Sequence, residues 1–446
     1  IGDRTWIYLG TFHFRKGHGN DRMVTLENLS DEEGCICADA VRFGAGSGEE
    51  SPHGTASGKP RYLEGSKYYA LYNGAPDSVT SFYNNLEEYK EDIQVRPRMS
   101  DWLSGGSVFN PNYNGLGIPI ELNVSIHTDA GKSFGDTIKG TLGICTTQMK
   151  DGRLGTGKTR DVSRDVTDQI LSEIQRDITK ATGREWTLRG ILDDDYCETR
   201  EPLMPSAIIE MLSHQNFYDL KYAYDPNFRF IAARSIYKGI LKYVSYMHSR
   251  SYTVQPLPVD HFMIATTEKD GVVRLSWRAV DDPLEPSAKA DGYIVYTSID
   301  GQGFDNGELV RYTQYEKTLQ KGHIYSFKIT AVNNGGQSMP SETLSACISG
   351  RSRGTILIVN GFQRLSGPAV IDTPDCLGFD LSRDEGVQYV KSPILCGYQK
   401  VFYRSHFNME DEEELGFCGT EFDGAMLAGN SFNYPYTHGT AIASGT

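Results

Sequence analysis

Two long stretches of the sequence repeat apolar residues every four positions, which is typical of helices with one buried face. The first stripe ends at Gly183, a helix-ending residue, and consists of Val162, Val166, Ile170, Ile174 and Ile178. The second follows the helix-start signal Asp225-Pro226, runs over 226–247, and buries Ala232, Ile236, Ile240 and Val244. Short apolar strands at 122–126, 140–145 and 207–209 lie before or between these helices. The pattern therefore predicts an α/β domain over 47–252.

The other parts of the chain alternate apolar and polar residues in short runs, which indicates strands. Three such runs within 1–46 predict a partial β domain, and the runs at 272–277, 292–296 and 325–332 predict a β-sandwich over 253–350. The apolar run at 354–361 predicts a buried parallel strand that opens an incomplete α/β domain over 351–446. The fold class expected is thus a multidomain combination of α/β and all-β modules.

Charge and composition narrow the function classes. The chain has 446 residues and a net charge of −14, which disfavours nucleic acid and anionic lipid surfaces as partners. It lacks an apolar run of the roughly 18 residues that span a bilayer. Its 8 cysteines are too few for a disulfide scaffold, and Cys35 and Cys37 have no second close pair to complete a four-thiolate zinc site.

One segment matches a nucleotide-binding pattern. Residues 152–159, with Lys158 and Thr159 at the end, fit the glycine-rich loop that cradles phosphates. However, the helix stripe begins late after this loop, and no clear apolar strand supplies a second magnesium ligand. A glycine-rich surface loop is the favoured interpretation, and a nucleotide site is the alternative.

A second constellation joins a histidine and a carboxylate. His127 ends an apolar strand, and Glu210 ends another, where an α/β sheet commonly places ligand-binding groups. Such a pair can act as a zinc ligand and a general base. From the spacing alone, a core histidine and a helix-capping glutamate are the favoured interpretation, and the zinc ligand with its general base is the alternative.

Two of the β regions resemble known modules. Residues 5–14 together with Val24-Thr-Leu26 and Ala38-Asp-Ala-Val-Arg-Phe43 resemble the C-terminal part of a golvesin-like domain. Trp277, Gly292-Tyr-Ile-Val-Tyr296 and Tyr325-Ser-Phe-Lys-Ile-Thr-Ala-Val332 resemble a fibronectin type III domain. Such modules commonly space or dock their neighbours, so neither predicts chemistry by itself.

The α/β region resembles zinc-dependent N-acetylmuramoyl-L-alanine amidases. The matching segments are Ser125-Ile-His127-Thr-Asp-Ala130, Pro205-Ser-Ala-Ile-Ile-Glu210, Asn216-Phe-Tyr-Asp219 and the helix that follows Asp225. The order of modules is similar to that of a Bacteroidetes group labelled xanthan lyase, in which a golvesin-like domain is inserted in the amidase domain. The resemblance implies that His127 binds zinc, that Glu210 is the catalytic carboxylate, and that His214 and Asn216 contact substrate.

The zinc site that the resemblance implies is incomplete in this sequence. The family's other two zinc ligands precede the inserted domain, so they are expected upstream of Ile1. His18 in Gly17-His18-Gly19 is assigned to a turn rather than to the metal. The resemblance implies a secreted or envelope-associated hydrolase with peptidoglycan or another cell-surface glycan as its partner. The alternatives are a catalytically degenerate glycan-binding protein and, as the group label suggests, a polysaccharide lyase.

Overall fold

The computed structural model describes residues 24–25, 65–112, 115–129, 137–350, 354–359, 369–380, 401–406 and 434–445. The golvesin-like prediction for 1–46, with Ile1, His18 and their surroundings, lies outside these residues apart from Val24 and Thr25. It stays a prediction.

In the part of the chain that the structure describes, three helices precede the first strand. They are α1 (Ser66–Tyr72), α2 (Asp77–Thr80) and α3 (Glu88–Leu103). Ala70, Val79 and Val95 are buried where these helices meet, and Met99 and Trp102 pack around them. The sequence pattern does not predict these helices individually, because no four-residue apolar stripe runs through this region.

A four-stranded mixed sheet forms the centre of the α/β domain. Its strands are β1 (Asn123–Asp129), β2 (Thr141–Cys145), β3 (Leu188–Asp193) and β4 (Ser206–Ser213). Their order is β1-β4-β2-β3, with β1 parallel to β4, β2 parallel to β3, and β2 antiparallel to β4. This sheet confirms the predicted α/β class.

The helices of this domain are α4 (Asp161–Thr182), α5 (Cys197–Arg200), α6 (Phe217–Ala223) and α7 (Pro226–Met247). The two predicted amphipathic helices are confirmed as α4 and α7, with Gly183 left-handed at φ 67° after α4 and Asp225 capping α7. Both pack on one face of the sheet, where α4 residues join Ala207, Ile209 and Met211 of β4 in one apolar core. Their crossing is close, because a Cβ on Gly239 would lie 2.7 Å from the Cα of Ile170.

A β-sandwich follows, as predicted. One sheet contains β5 (Asp260–Thr266), β6 (Val272–Arg278) and β9 (Gln314–Thr318). The other contains β7 (Gly292–Ile299), β8 (Glu308–Val310), β10 (Ile324–Asn333), β11 (Gly336–Gln337) and β12 (Leu344–Cys347). The sandwich encloses its own core, where Trp277 packs edge-on against Tyr293 at 5.3 Å between ring centroids.

The C-terminal region differs from the prediction in one respect. Residues 355–359 form no strand, and Leu357 is 81% exposed, so the expected buried parallel strand at 354–361 is wrong for the described residues. An apolar run becomes a buried strand only where a partner strand and a covering layer meet it, and the described residues provide neither. They contain instead an antiparallel sheet of β13 (Ala369–Asp372), β14 (Cys376–Asp380) and β15 (Val401–Tyr403), and a helix, α8 (Tyr434–Gly445).

Each C-terminal element packs on a different domain. Phe379 of β14 lies against Phe217 and Tyr224, at the two ends of α6. Tyr436 of α8 donates a hydrogen bond of 2.9 Å to the Asp300 carbonyl of the sandwich. Among the residues that are described, no helix has the length and apolar character needed to cross a membrane.

Candidate functional site

His127 and Glu210 are direct neighbours on two parallel strands. The register of β1 and β4 places the two residues opposite each other. Because side chains alternate along a strand, Glu210 faces away from the core formed by Ile209 and Met211 under the helices. Both residues lie a little before their strand ends, at Asp129 and Ser213, rather than at the ends as the sequence suggested. The structure thus brings the two predicted residues together on neighbouring strands, beside α5.

Glu198 is a third member of this cluster and was not predicted from sequence. It lies on α5, and its Oε1 is 3.2 Å from Nε2 of His127. The hydrogen bond to this carboxylate, followed by its charge, raises the pKa of His127 although burial opposes the shift. Burial pushes the pKa of Glu198 upward, but the bond to His127 and the nearby charge of Arg96 hold it below the usual value. Nη1 of Arg96 lies 3.3 Å from the same carboxylate.

Buried contacts hold α5 in place. Arg160 is fully buried, and its guanidinium donates to the carbonyls of Thr199 at 2.9 Å and Thr146 at 3.1 Å. The Asn123 amide donates to the Glu198 carbonyl at 3.3 Å. These bonds fix Glu198 beside His127. The sequence carries no local signal for this contact, because α5 has one turn only and no apolar stripe.

Glu210 and Arg189 both retain unused hydrogen-bonding capacity. Oε2 of Glu210 and the Nε and Nη2 atoms of Arg189 are buried and have no hydrogen-bond partner among the described residues. Nη1 of Arg189 donates to Asp129 at 2.6 Å. Burial, helped by the charges of Asp129 and Glu198, raises the pKa of Glu210, whereas His127 and Arg189 oppose the shift. A carboxylate in this state is suited to accepting and returning a proton.

The loop after β4 holds the remaining predicted residues. Nδ1 of His214 is 3.2 Å from Thr128 Oγ1, and burial lowers the pKa of His214. Asn216 is fully buried: its Oδ1 caps α6 by accepting from the Asp219 amide at 2.9 Å, and its Nδ2 donates to the Thr137 carbonyl at 3.1 Å. The amide of Asn216 therefore fixes the loop in this structure, and its contact with substrate stays a prediction.

Asp219 fastens the same loop to the start of β2. Its carboxylate accepts backbone hydrogen bonds from Lys139 at 2.8 Å, Gly140 at 3.1 Å and Ser213 at 2.8 Å. Together with the Asn216 cap, these bonds hold the segment that follows Glu210 against the neighbouring strand. The Asn-x-x-Asp spacing thus has a clear structural explanation.

A cleft of about 530 Å³ lies between α1 and α3, next to this cluster. Its lining is mainly apolar and includes Val95, Met99, Leu103 and Ile120. Arg96 also lines it and is shared with the cluster through Glu198. His127, Glu210 and His214 do not line the cleft.

The described residues do not by themselves form a zinc site. No group of three or more His, Cys, Asp or Glu side chains among them is arranged to hold a metal ion. His127 and Glu198 offer two donor groups, one fewer than the three protein ligands usual at a catalytic zinc. The further ligands, which the resemblance places upstream of Ile1, lie outside the described residues and stay a prediction.

The glycine-rich segment 152–159 forms a turn closed on itself and not a phosphate cradle. The amides of Leu154 and Gly157 donate to backbone carbonyls within the loop, at 2.8 Å each, so they are not directed at a ligand. Nζ of Lys158 lies 4.8 Å from the centre of the Phe109 ring. This geometry supports the surface-loop interpretation.

Comparisons with other proteins give local likenesses. No protein-family model and no curated protein matches the sequence. Among solved structures, 29% of this chain is similar to 60% of an N-acetylmuramoyl-L-alanine amidase from Clostridium difficile 630, with 22% identity and a TM-score of 0.23. In another comparison, 21% of this chain is similar to 17% of the twitchin kinase region from C. elegans, with 27% identity and a TM-score of 0.19. Finally, 22% of this chain is similar to 87% of a structure described as the fourth FNIII domain of a human protein, with 20% identity and a TM-score of 0.19.

The chain spans less than two thirds of the amidase chain and of the twitchin region. At these TM-scores the likenesses carry no weight for function. The architecture stands on its own contacts: a mixed α/β sheet layered by helices, joined to antiparallel β-sheets. The class of protein is thus a multidomain α/β and all-β chain.

Proposed function

We propose that this chain is an amidase-like hydrolase that cleaves the amide bond between muramic acid and L-alanine in peptidoglycan, in the cell envelope or outside the cell. The observation that carries the proposal is the strand register that places His127 opposite Glu210, with the Glu210 side chain on the sheet face away from α4 and α7. The sequence resemblance independently implies that these two residues belong to the reacting centre.

Glu210 has the properties of the proton-transfer group. Its raised pKa and unpaired Oε2 let it take a proton from an attacking water and pass it to the departing amine. Glu198 orients the His127 ring through Nε2, and Arg96 holds Glu198. Arg189, with two unpaired N–H groups, adds positive charge near Glu210.

Zinc belongs to this proposal as the predicted cofactor. When bound, it would polarise the amide carbonyl and lower the pKa of the reacting water. His127 is its one predicted ligand among the described residues, so the proposal requires further ligands from elsewhere.

Purified peptidoglycan tests the activity. The chain, extended upstream of Ile1 to include the two zinc ligands that the resemblance implies, should release peptides with new free amino termini. In this form Glu210→Gln should reduce the rate about 10²–10⁴-fold, as for loss of a general acid–base group. Glu316→Gln is the control, because Glu316 is a surface carboxylate of the sandwich paired with Lys269 and Arg274. Activity unchanged in Glu210→Gln would contradict the assignment.

Metal content is measured on the same preparations. Elemental analysis should find zinc near one per chain in this extended form and in its Glu210→Gln variant, and much less in its His127→Ala variant. Absence of both zinc and amide cleavage would overturn the hydrolase proposal.

A glycan-binding role is the second candidate. It is favoured by the cleft between α1 and α3, where Tyr69 offers an aromatic ring on which a sugar can stack. In that case the chain would sediment with peptidoglycan or an acidic exopolysaccharide without releasing amino groups, and Glu210→Gln would bind as the wild type does.

A further inference from the structure

A carboxylate of the β-sandwich is buried among cations of the α/β domain. Glu285 lies in the connection between β6 and β7 and is 3% exposed. Its Oε1 is 2.7 Å from Nη2 of Arg176 on α4 and 2.6 Å from Nζ of Lys242 on α7. Nζ of Lys238, also on α7, lies 3.6 Å from the same oxygen.

Asp282, in the same connection between β6 and β7, is a second sandwich carboxylate that pairs with a cation of the α/β domain. Oδ2 of Asp282 accepts from Nε and Nη2 of Arg234 at 3.2 Å and 3.0 Å, and both side chains are 8% exposed. Arg234 also donates to the Gln255 carbonyl, in the segment that enters the sandwich, at 3.0 Å. The connection between β6 and β7 is therefore fastened to the helices at two points.

The charges at this junction balance only when both domains contribute. The helices supply four cations and two acids, a net charge of +2, and the sandwich supplies two acids, a net charge of −2. Within the helices, Lys238 pairs with Asp177 at 2.6 Å and Lys242 with Glu173 at 2.8 Å. The members are Arg176, Arg234, Lys238, Lys242, Glu173, Asp177, Asp282 and Glu285.

Burial makes this balance important. Lys238 is 1% exposed, and a buried charge that loses its partner is strongly unfavourable because it has lost water without compensation. With the two domains in contact but without the Asp282 and Glu285 carboxylates, the junction would retain two excess positive charges in this buried position.

We infer that the sandwich is an obligate structural partner of the α/β domain and not an independent spacer. Asp282 and Glu285 act as its two docking residues, and the recognition is electrostatic. The two domains hold one fixed orientation and unfold in one cooperative transition. The helices fixed in this way are those that support β4, the strand that carries Glu210. The inference does not depend on the proposed activity.

Calorimetric unfolding of the full chain tests the inference. The α/β domain and the sandwich should melt together in the wild type, and the Asp282→Asn, Glu285→Gln double variant should melt in two separated steps. The first step should lie about 4 °C or more below the wild-type transition. Small-angle scattering should show a larger radius of gyration for the double variant. The Glu316→Gln control removes a sandwich carboxylate that is not at the junction and should leave both measurements unchanged.

A coupling measurement covers the case in which the double variant does not fold. Lys242→Met, Glu285→Gln and the combination are each compared with wild type by urea unfolding. Contacting partners should give non-additive effects, with the combination less harmful than the sum of the two single changes. Additive effects, or separate melting of the two domains in the wild type, would overturn the inference.

Discussion

At the scale of single residues, two groups of the site lie in environments that oppose their charged forms: burial raises the pKa of Glu210 and lowers the pKa of His214. Glu210 is a carboxyl group with one buried oxygen unpaired, placed beside further acids. Such an arrangement costs folding free energy, and residues of this kind are typical of functional positions. Glu198 differs from Glu210 in this respect, because the charge of Glu198 is compensated by His127 and Arg96.

The cost at Glu210 is measurable. We expect Glu210→Gln to stabilise the fold at pH 7 by roughly 0.5–2 kcal/mol while it removes activity, because the substitution deletes a poorly compensated buried charge. Urea unfolding of wild type and variant provides the comparison. Glu198→Gln is the matched change on α5, and it should destabilise instead, since it breaks a compensated pair. Equal effects of the two substitutions would argue against this difference in environment.

Asp101 on α3 gives a prediction for pH. Burial raises its pKa from 3.8 to about 6, against the opposing hydrogen bond from the Leu203 amide and the charge of Lys150. The folded state therefore holds this proton more tightly than the unfolded chain does. The contribution of Asp101 is neutral below pH 3.8 and becomes unfavourable as the pH rises to about 6 and above.

We expect Asp101→Asn to be more stable than wild type at pH 7, by at most about 3 kcal/mol for a shift of this size. The advantage should shrink toward zero near pH 4. Asparagine keeps the oxygen that accepts from the Leu203 amide, at 2.9 Å in the wild type. Unfolding free energies of both proteins between pH 4 and 7 give the difference, and a difference independent of pH would refute the assignment.

At the scale of elements, the sequence was informative where periodicity was long. α4 and α7 follow directly from their apolar stripes, and β1, β2 and β4 from short apolar runs. The strand register that joins His127 to Glu210 could not be derived, because it depends on which strands pair and on a mixed sheet order. Glu198 was missed for the same reason: its importance comes from a contact with a residue distant in sequence. The apolar run at 355–359 shows the opposite error, in which a strand is predicted and none forms. An apolar composition does not specify which strand a segment will pair with.

The crossing of α4 and α7 gives a prediction for one glycine. Alanine is ordinarily the better helix residue by about 1 kcal/mol, yet the Cβ of Gly239→Ala would meet backbone at Ile170. We expect this variant to lose about 1–3 kcal/mol of stability through overpacking. Gly303→Ala is the control, because its Cβ would enter open space. Chemical unfolding measures both, and a stabilised Gly239→Ala would disprove the tight crossing.

At the scale of the whole molecule, the α/β domain is contacted from two sides. The sandwich docks on α4 and α7 through ion pairs, whereas the C-terminal sheet docks on α6 through aromatic rings and a smaller charged cluster. In that cluster Asp372 accepts from Lys221 and from Arg404, each at 2.8 Å. Because α6 begins at the loop that follows Glu210, the C-terminal sheet supports that loop from outside.

Phe379 is the main apolar contact at this second junction and is 1% exposed. We expect Phe379→Ala to cost about 3–5 kcal/mol locally, as for other buried phenylalanines, and to increase amide exchange in α6 and β14. Exchange in α4 should change little. Val370→Ala, at a 46% exposed position in the same sheet, should leave exchange as in wild type. If Phe379→Ala increased amide exchange equally in α4 and α6, the effect of Phe379 would not be confined to the contact between the C-terminal sheet and α6.

The buried tryptophans make the two large cores separately observable. Trp186 is enclosed by Tyr222 and Phe228 in the α/β core, and its indole donates to Thr141 Oγ1 at 2.8 Å. Trp277 is buried in the sandwich core, and its indole N–H has no hydrogen-bond partner among the described residues. Each core therefore contains its own fluorophore in a distinct polar environment. Emission from single-tryptophan variants would report the opening of each domain in real time, without any attached dye.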